Sequence, residues 1–94
     1  MTLEKEIEKD FVNFVKKKRG FCLKQNPRWY RGIPDRLIVM PGGKCFFLEL
    51  KRPGGRLSPL QRRRIKAILA RNIPVYHTDQ LQEAIEIYES LENE

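Results

Sequence analysis

The sequence predicts an α/β chain of the α+β kind, ordered αβββαβα, with a four-stranded mixed sheet flanked by helices. Three observations carry this. Apolar residues recur at helical spacing near both ends of the chain. Between those ends, short apolar runs are bounded by Gly, Pro and Asn. After the third run a Ser-Pro pair opens a middle helical stretch leading to one more apolar run, and a strand-helix-strand crossover places its two strands parallel.

Thr2 is an N-cap residue, and Leu3, Ile7, Phe11, Phe14 and Val15 follow at helical spacing. The first helix is therefore expected from about Leu3 to Arg19, with Gly20 as its stop. Phe21 to Gln25 reads as a short strand ended by Asn26-Pro27, and Arg28 to Gly32 as a loop. Asp35 to Met40 is the second strand, Pro41-Gly42-Gly43-Lys44 a hairpin turn, and Cys45 to Lys51 the third strand. Pro53-Gly54-Gly55 breaks that run. Ser58 caps the second helix, with Pro59 at its first position and an end near Asn72. Ile73 to His77 is the fourth strand. Thr78 or Asp79 caps the third helix, whose Leu81, Ala84, Ile85, Tyr88 and Leu91 share a face.

Ninety-four residues are expected to form one domain, 1–94. So small a domain buries only roughly 60–65% of the surface of its unfolded chain, so oligomerisation would help it. With 40% hydrophobic and 33% charged residues the composition is globular rather than disordered. No apolar stretch approaches the ~20 residues of a membrane span, and no signal-peptide core opens the sequence. The expected location is the cytoplasm. Cys22 and Cys45 are too few for a disulfide framework or zinc site and read as small hydrophobes in apolar runs.

Charge is distributed unevenly. Residues 16–66 hold sixteen Lys and Arg but only two acids, Asp35 and Glu49, whereas residues 1–15 and 67–94 are both net acidic. A basic centre between acidic ends is the footprint of a nucleic-acid-binding face. Each lone carboxylate stands at a strand edge, and with a hairpin between them the start of strand two meets the end of strand three. Lys51, two residues after Glu49, leaves the same face of the strand. Two carboxylates and an ammonium on one patch suit a divalent metal and a scissile phosphate together.

These residues resemble a known signature. Pro34-Asp35, then Glu49-Leu50-Lys51 closing an apolar strand, is similar to the PD-(D/E)xK nuclease motif. The wider pattern, Gly32-Ile33-Pro34-Asp35, Phe47-Leu48-Glu49-Leu50-Lys51, Gly55-Arg56-Leu57-Ser58 and Gln61, resembles the virus-type replication-repair nuclease (VRR-Nuc) branch over essentially the whole chain. The resemblance implies a restriction-endonuclease-like core, Mg²⁺ (or Mn²⁺) as cofactor and phosphodiester hydrolysis. It implies Asp35, Glu49, Lys51, Glu8 and Gln61 as catalytic positions, and Asp35, Glu49, Leu50 and Glu8 as the metal set. Glu8 fits the helix-one acid of related archaeal-type junction resolvases, with Phe11, Val12 and Val15 at plus three, four and seven; Glu4 is the reserve. A stand-alone domain of this branch also implies a phage or mobile-element origin and a homodimer acting on branched DNA, above all four-way junctions. A monomeric nickase on flaps is the alternative, and a non-catalytic nucleic-acid-binding domain or a partner-binding acidic helix are the rivals from other classes.

Arg31, Arg36, Arg52, Arg56, Arg62, Arg63 and Lys66 are the expected phosphate contacts. Arg64 belongs to the same basic run. Lys16 to Arg19 suit the helix dipole as well as they suit a phosphate. Trp29 and Tyr30, set between Arg28 and Arg31, suit stacking on an exposed base, rim packing or a subunit contact. His77, the sole histidine, reads as structural.

Overall fold

The computed structural model describes residues 3–25, 28 and 30–94; the Thr2 cap, the Asn26-Pro27 stop and Trp29 lie outside the described residues. Helix α1 spans Leu3–Lys17, with Glu4 and Glu6 in its first turn and Lys16 and Lys17 in its last, as the helix dipole favours. It ends two residues sooner than its periodicity suggests. Arg19, not Gly20, adopts the left-handed conformation (φ 64°), while the Gly20 N–H donates to Val15 O at 3.0 Å. Gly20 is required for a different reason: a Cβ there would lie 2.9 Å from Tyr88 Oη and 3.0 Å from Val39 O.

Strands β1 (Phe21–Lys24), β2 (Arg36–Val39), β3 (Cys45–Leu50) and β4 (Val75–Thr78) form one sheet in that order. The first two pairings are antiparallel and β3–β4 is parallel, as the crossover requires. β1 and β3 each end one residue sooner than their apolar runs, β2 is one residue shorter at each end, and β4 is shifted, starting two residues later and taking in Thr78. The hairpin closes through Met40 N–H to Lys44 O at 2.7 Å, with Gly42 and Gly43 at φ 92° and 98°, values that disfavour other residues. Lys44 then acts at a distance. Its ammonium donates to Leu91 O at 2.7 Å and Glu94 O at 2.9 Å, satisfying carbonyls at the end of the last helix.

Helices α2 (Pro59–Leu69) and α3 (Leu81–Glu92) complete the fold. The second ends before Asn72, which takes the left-handed turn at φ 63°. Neither Thr78 nor Asp79 caps α3. The capping position is Gln80, which makes no side-chain cap bond. Thr78 Oγ1 instead accepts from the Gln80 N–H at 3.1 Å, and Asp79 Oδ2 accepts from the Gly54 N–H at 3.1 Å.

Period two gives the sheet two unlike faces. Cys22, Ile38 and Phe46 share one face in register, with Leu48 and Leu50 further along β3. There Ile38, Phe46, Leu48 and Leu50 pack with Phe11 and Val15 of α1 and Ala84, Tyr88 and Leu91 of α3. Phe14 meets Tyr88 edge-on at 5.4 Å. Each fully buried large side chain contributes about 1.5–3 kcal/mol. The apolar face of α3 is thus taken up by the core and leaves little for a partner. The opposite sheet face is half open. It carries Phe21 and Leu23, 65% and 46% exposed, and α2, which touches the sheet at β4 and neither other helix, has no fully buried residue.

Candidate active site

Asp35 sits immediately before β2 and Glu49 next to last in β3. The Arg36↔Leu48 register brings the two positions together across the strand pair. Pro34 is fully buried and anchors the chain at this point, while Asp35 O accepts from the Gln25 N–H at 2.8 Å. The Asp35 N–H donates to Glu49 Oε1 at 2.9 Å. On the other side Lys51 Nζ stands 3.4 Å from Glu49 Oε2. A nearly buried carboxylate, 6% exposed, is thereby held by one backbone donor and one ammonium.

Burial raises the Glu49 pKa above its ordinary value, against the lowering pull of Lys51 and the Asp35 N–H. Asp35 is raised too, by burial first and then by the negative charge of Glu8. Both carboxylates gain from a neighbouring cation. Burial also pushes the Cys22 thiol up to about 11, which keeps it protonated and inert. Both cysteines are free and half-buried.

Glu8 lies close enough to repel Asp35, but its Oε1 is taken by the Arg36 guanidinium in an ion pair. Arg36 also donates to Cys22 O at 3.3 Å. With its side chain 13% exposed, Arg36 is packed beneath α1 and lines a cleft there with Glu8, Lys9 and Lys24. Its neighbour in sequence is the site residue, but alternation sends it to the other face of the sheet. Arg36 is thus the counter-ion of Glu8, whose negative charge is still felt at Asp35.

The donors present fit a hard divalent cation in part. Among the described residues no group of three or more His, Cys, Asp or Glu is placed to hold a metal. The Asp35–Glu49 pair supplies the one or two carboxylates with which Mg²⁺ is commonly bound, the remaining positions being water or phosphate oxygens. Leu50 is 1% exposed with its side chain in the core, so only its carbonyl is a candidate donor. Gln61 occupies the third position of α2, where it completes a capping box. Its Oε1 accepts from the Ser58 N–H at 2.8 Å and its own N–H donates to Ser58 Oγ at 3.1 Å. The side-chain amide NH₂ of Gln61 takes no part in this capping box.

Arg31, Arg52, Arg56, Arg62 and Arg63 are exposed, as is Lys66. Arg56 and Arg62 line a cleft of about 500 Å³ with Gly55, Leu57 and His77. His77 is an exposed residue of β4: the parallel register sets it beside Glu49, and it shares a second cleft with Lys51 and Asp79. Only its alternation with buried Thr78 hinted at exposure. Arg64 has an internal task, donating through Nε to Arg31 O at 2.9 Å.

A profile of the VRR-NUC domain matches residues 2–79. The chain belongs to the VRR-NUC family. It carries a nuclease domain of that family over a stretch that includes Glu8, Asp35, Glu49, Lys51 and Gln61. The family is the one that the Gly32–Asp35 and Phe47–Lys51 motifs resemble. The chain is 43% identical over 60 residues to "Putative nuclease p44" of Acyrthosiphon pisum secondary endosymbiont phage 1. That match takes in 64% of each protein, so it spans a little under two thirds of the phage relative. A solved VRR_NUC domain superposes with a TM-score of 0.85 at 22% identity, covering 95% of this chain and 97% of that one. The α+β fold is therefore that of the VRR-NUC domain. Among the described residues no helix is long and apolar enough to cross a membrane.

Proposed function

We propose that this protein is a metal-dependent endonuclease of the PD-(D/E)xK type that hydrolyses phosphodiester bonds in branched DNA, four-way junctions above all. One observation carries the reading. Asp35, Glu49 and Lys51 converge through the 2.9 Å and 3.4 Å contacts of Glu49, inside the most basic stretch of the chain. Family membership and the name of the phage relative support the nuclease part of this reading.

A Mg²⁺ ion, for which Mn²⁺ would substitute, would be held by Asp35, Glu49 and the Leu50 carbonyl, and would supply charge neutralisation and an activated water. The chain's own residues do the rest. Lys51 holds Glu49 in its orientation and places positive charge where a phosphate oxygen becomes more negative. Burial of Glu49 lowers the local dielectric, so that charge acts more strongly than in water. Arg52, Arg56, Arg62, Arg63 and Lys66 take flanking phosphates.

A homodimer is part of the proposal. A twofold pair presents two sites, as paired cuts across a nearly twofold junction demand. Its support is the half-open sheet face with exposed Phe21 and Leu23, not α3. The test incubates purified protein with junction, flap and linear duplex in Mg²⁺ and then in EDTA, beside sedimentation of the complex. Junction cleavage by a dimer, lost in EDTA, is expected. Cleavage in EDTA overturns the metal role, equal rates on linear duplex overturn the branch preference, and an 11.2 kDa species cutting junctions overturns the dimer.

A further inference from the structure

Between the loop that ends at Gly32 and the first turn of α2 lies a cleft of about 640 Å³, lined by Arg28, Arg31, Gly32, Ser58, Leu60 and Gln61. Its closest seam is Gly32, at φ +83°, where a Cβ would come within 2.7 Å of Leu60 Cγ and 3.1 Å of Arg64 Cγ. Glycine therefore lets the loop lie directly against the helix. Arg64 fastens the same loop twice. Its Nε–H bonds to Arg31 O at 2.9 Å, and its guanidinium lies over the Tyr30 ring at 4.1 Å from the centroid.

The consequence is an aromatic ring that is fixed but not covered. Tyr30 is 54% exposed, although a large exposed aromatic side chain normally gains little from being ordered. The cation–π contact holds one face of the ring, and the ring stands next in sequence to an arginine that lines the cleft. Fixed aromatic surface beside guanidinium groups is the arrangement that single-stranded nucleic acid selects, with a base on the ring and its phosphate on the cations. A paired base cannot use such a platform, because its faces are already stacked within the duplex.

We infer that Tyr30, held by Arg64, is a stacking platform for one unpaired nucleotide of the substrate, whose flanking phosphate lies in the Arg28–Arg31 cleft. The inference rests on the nuclease reading and adds to it a means of choosing branched over continuous duplex. Branch points offer unstacked bases, and fully paired DNA does not. Arg64 is then a positioning residue for Tyr30, and Tyr30 itself makes no contribution to the carboxylate pair.

The test is binding in EDTA, where cleavage is silent, followed by fluorescence anisotropy. Two probes of equal length are used, one fully paired and one carrying a single unpaired 2-aminopurine. The wild-type protein is expected to bind the second about tenfold more tightly and to quench its 2-aminopurine emission. Tyr30→Phe should retain both effects, since the ring remains. Tyr30→Ala should lose both while keeping the wild-type affinity for paired duplex, with an unchanged circular dichroism melt excluding a folding defect. Equal probe affinities in the wild type, or a preference that survives Tyr30→Ala, overturns the inference and leaves the nuclease reading standing. Failure of the wild type to bind either probe overturns the nuclease reading itself.

Discussion

Glu49 Oε1 accepts the backbone N–H of Asp35 at 2.9 Å, so the two acidic positions are joined through the main chain as well as by proximity. A side chain bound in this way has one oxygen fixed. The other faces Lys51, and the geometry of the patch is set before any substrate binds. Preorganisation of this kind spares the reorganisation that would otherwise accompany charge development.

Removal of either carboxylate should therefore separate cleavage from binding. Asp35→Asn and Glu49→Gln are expected to abolish Mg²⁺-dependent cleavage while DNA affinity, measured in EDTA, holds or rises. The side-chain amide introduced by Glu49→Gln keeps a carbonyl oxygen that can accept the Asp35 N–H, so the fold survives. Wild-type cutting by Asp35→Asn in Mg²⁺ would show that the metal site lies elsewhere.

Lys51→Ala removes the ammonium beside Glu49. A charge contact made in the transition state is worth on the order of 10²-fold or more in rate. Single-turnover cleavage should fall by that amount with little change in junction affinity. A loss confined to affinity would make Lys51 a simple phosphate contact.

The raised carboxylates predict a pH effect with a definite sign. The ordinary pKa values are 3.8 for Asp35 and 4.5 for Glu49, and both are shifted up, chiefly by burial. Between the ordinary and raised values the folded chain binds protons that the unfolded chain has released. Their contribution favours folding at low pH and is lost as pH rises through the raised values. Metal-free Asp35→Asn should accordingly melt higher than wild type at neutral pH, with the gap closing on acidification towards about pH 4. A lower melting temperature for the variant at neutral pH would refute the burial argument.

Arg36 gives the clearest contrast between a binding and a structural arginine. Arg36→Ala leaves Glu8 without its partner at a site where the two side chains are only 13% and 21% exposed. The expected loss is about 2–3 kcal/mol, a fall in melting temperature on the order of 10 °C for a domain of this size. Arg62→Ala, at an exposed position, should instead leave the melt unchanged and reduce the salt dependence of DNA affinity by about one phosphate contact. Exchange of the two outcomes would mean that the charges had been assigned to the wrong faces.

Gly32→Ala tests the seam between loop and helix. The left-handed backbone and the 2.7 Å approach to Leu60 Cγ together should cost about 1–3 kcal/mol. The loop that ends at Gly32 leads directly into Asp35, so activity should fall along with stability. Thermal melts and junction cleavage read the two losses.

Much of this protein is written in short windows of sequence. The apolar faces of α1 and α3, the Ser58-Pro59 start of α2, the Gly42-Gly43 turn and the apolar strands each depend on residues within about a turn of one another. The Asp35, Glu49 and Lys51 constellation was legible as well, because a hairpin fixes which strand ends meet. Other features depend on how whole elements are packed. Rotation of α1 over the sheet decided that Glu8 pairs with Arg36, 28 residues away, and the parallel β4 register decided that His77 stands beside Glu49. Close packing under α3 decided why residue 20 is glycine, and the approach of α2 turned Arg64 from one basic residue among several into the clamp on Tyr30. Periodicity and capping are local free-energy preferences and can be read from a single strand of text. The partner of a long charged side chain is set by register and helix rotation, which only the packed core fixes.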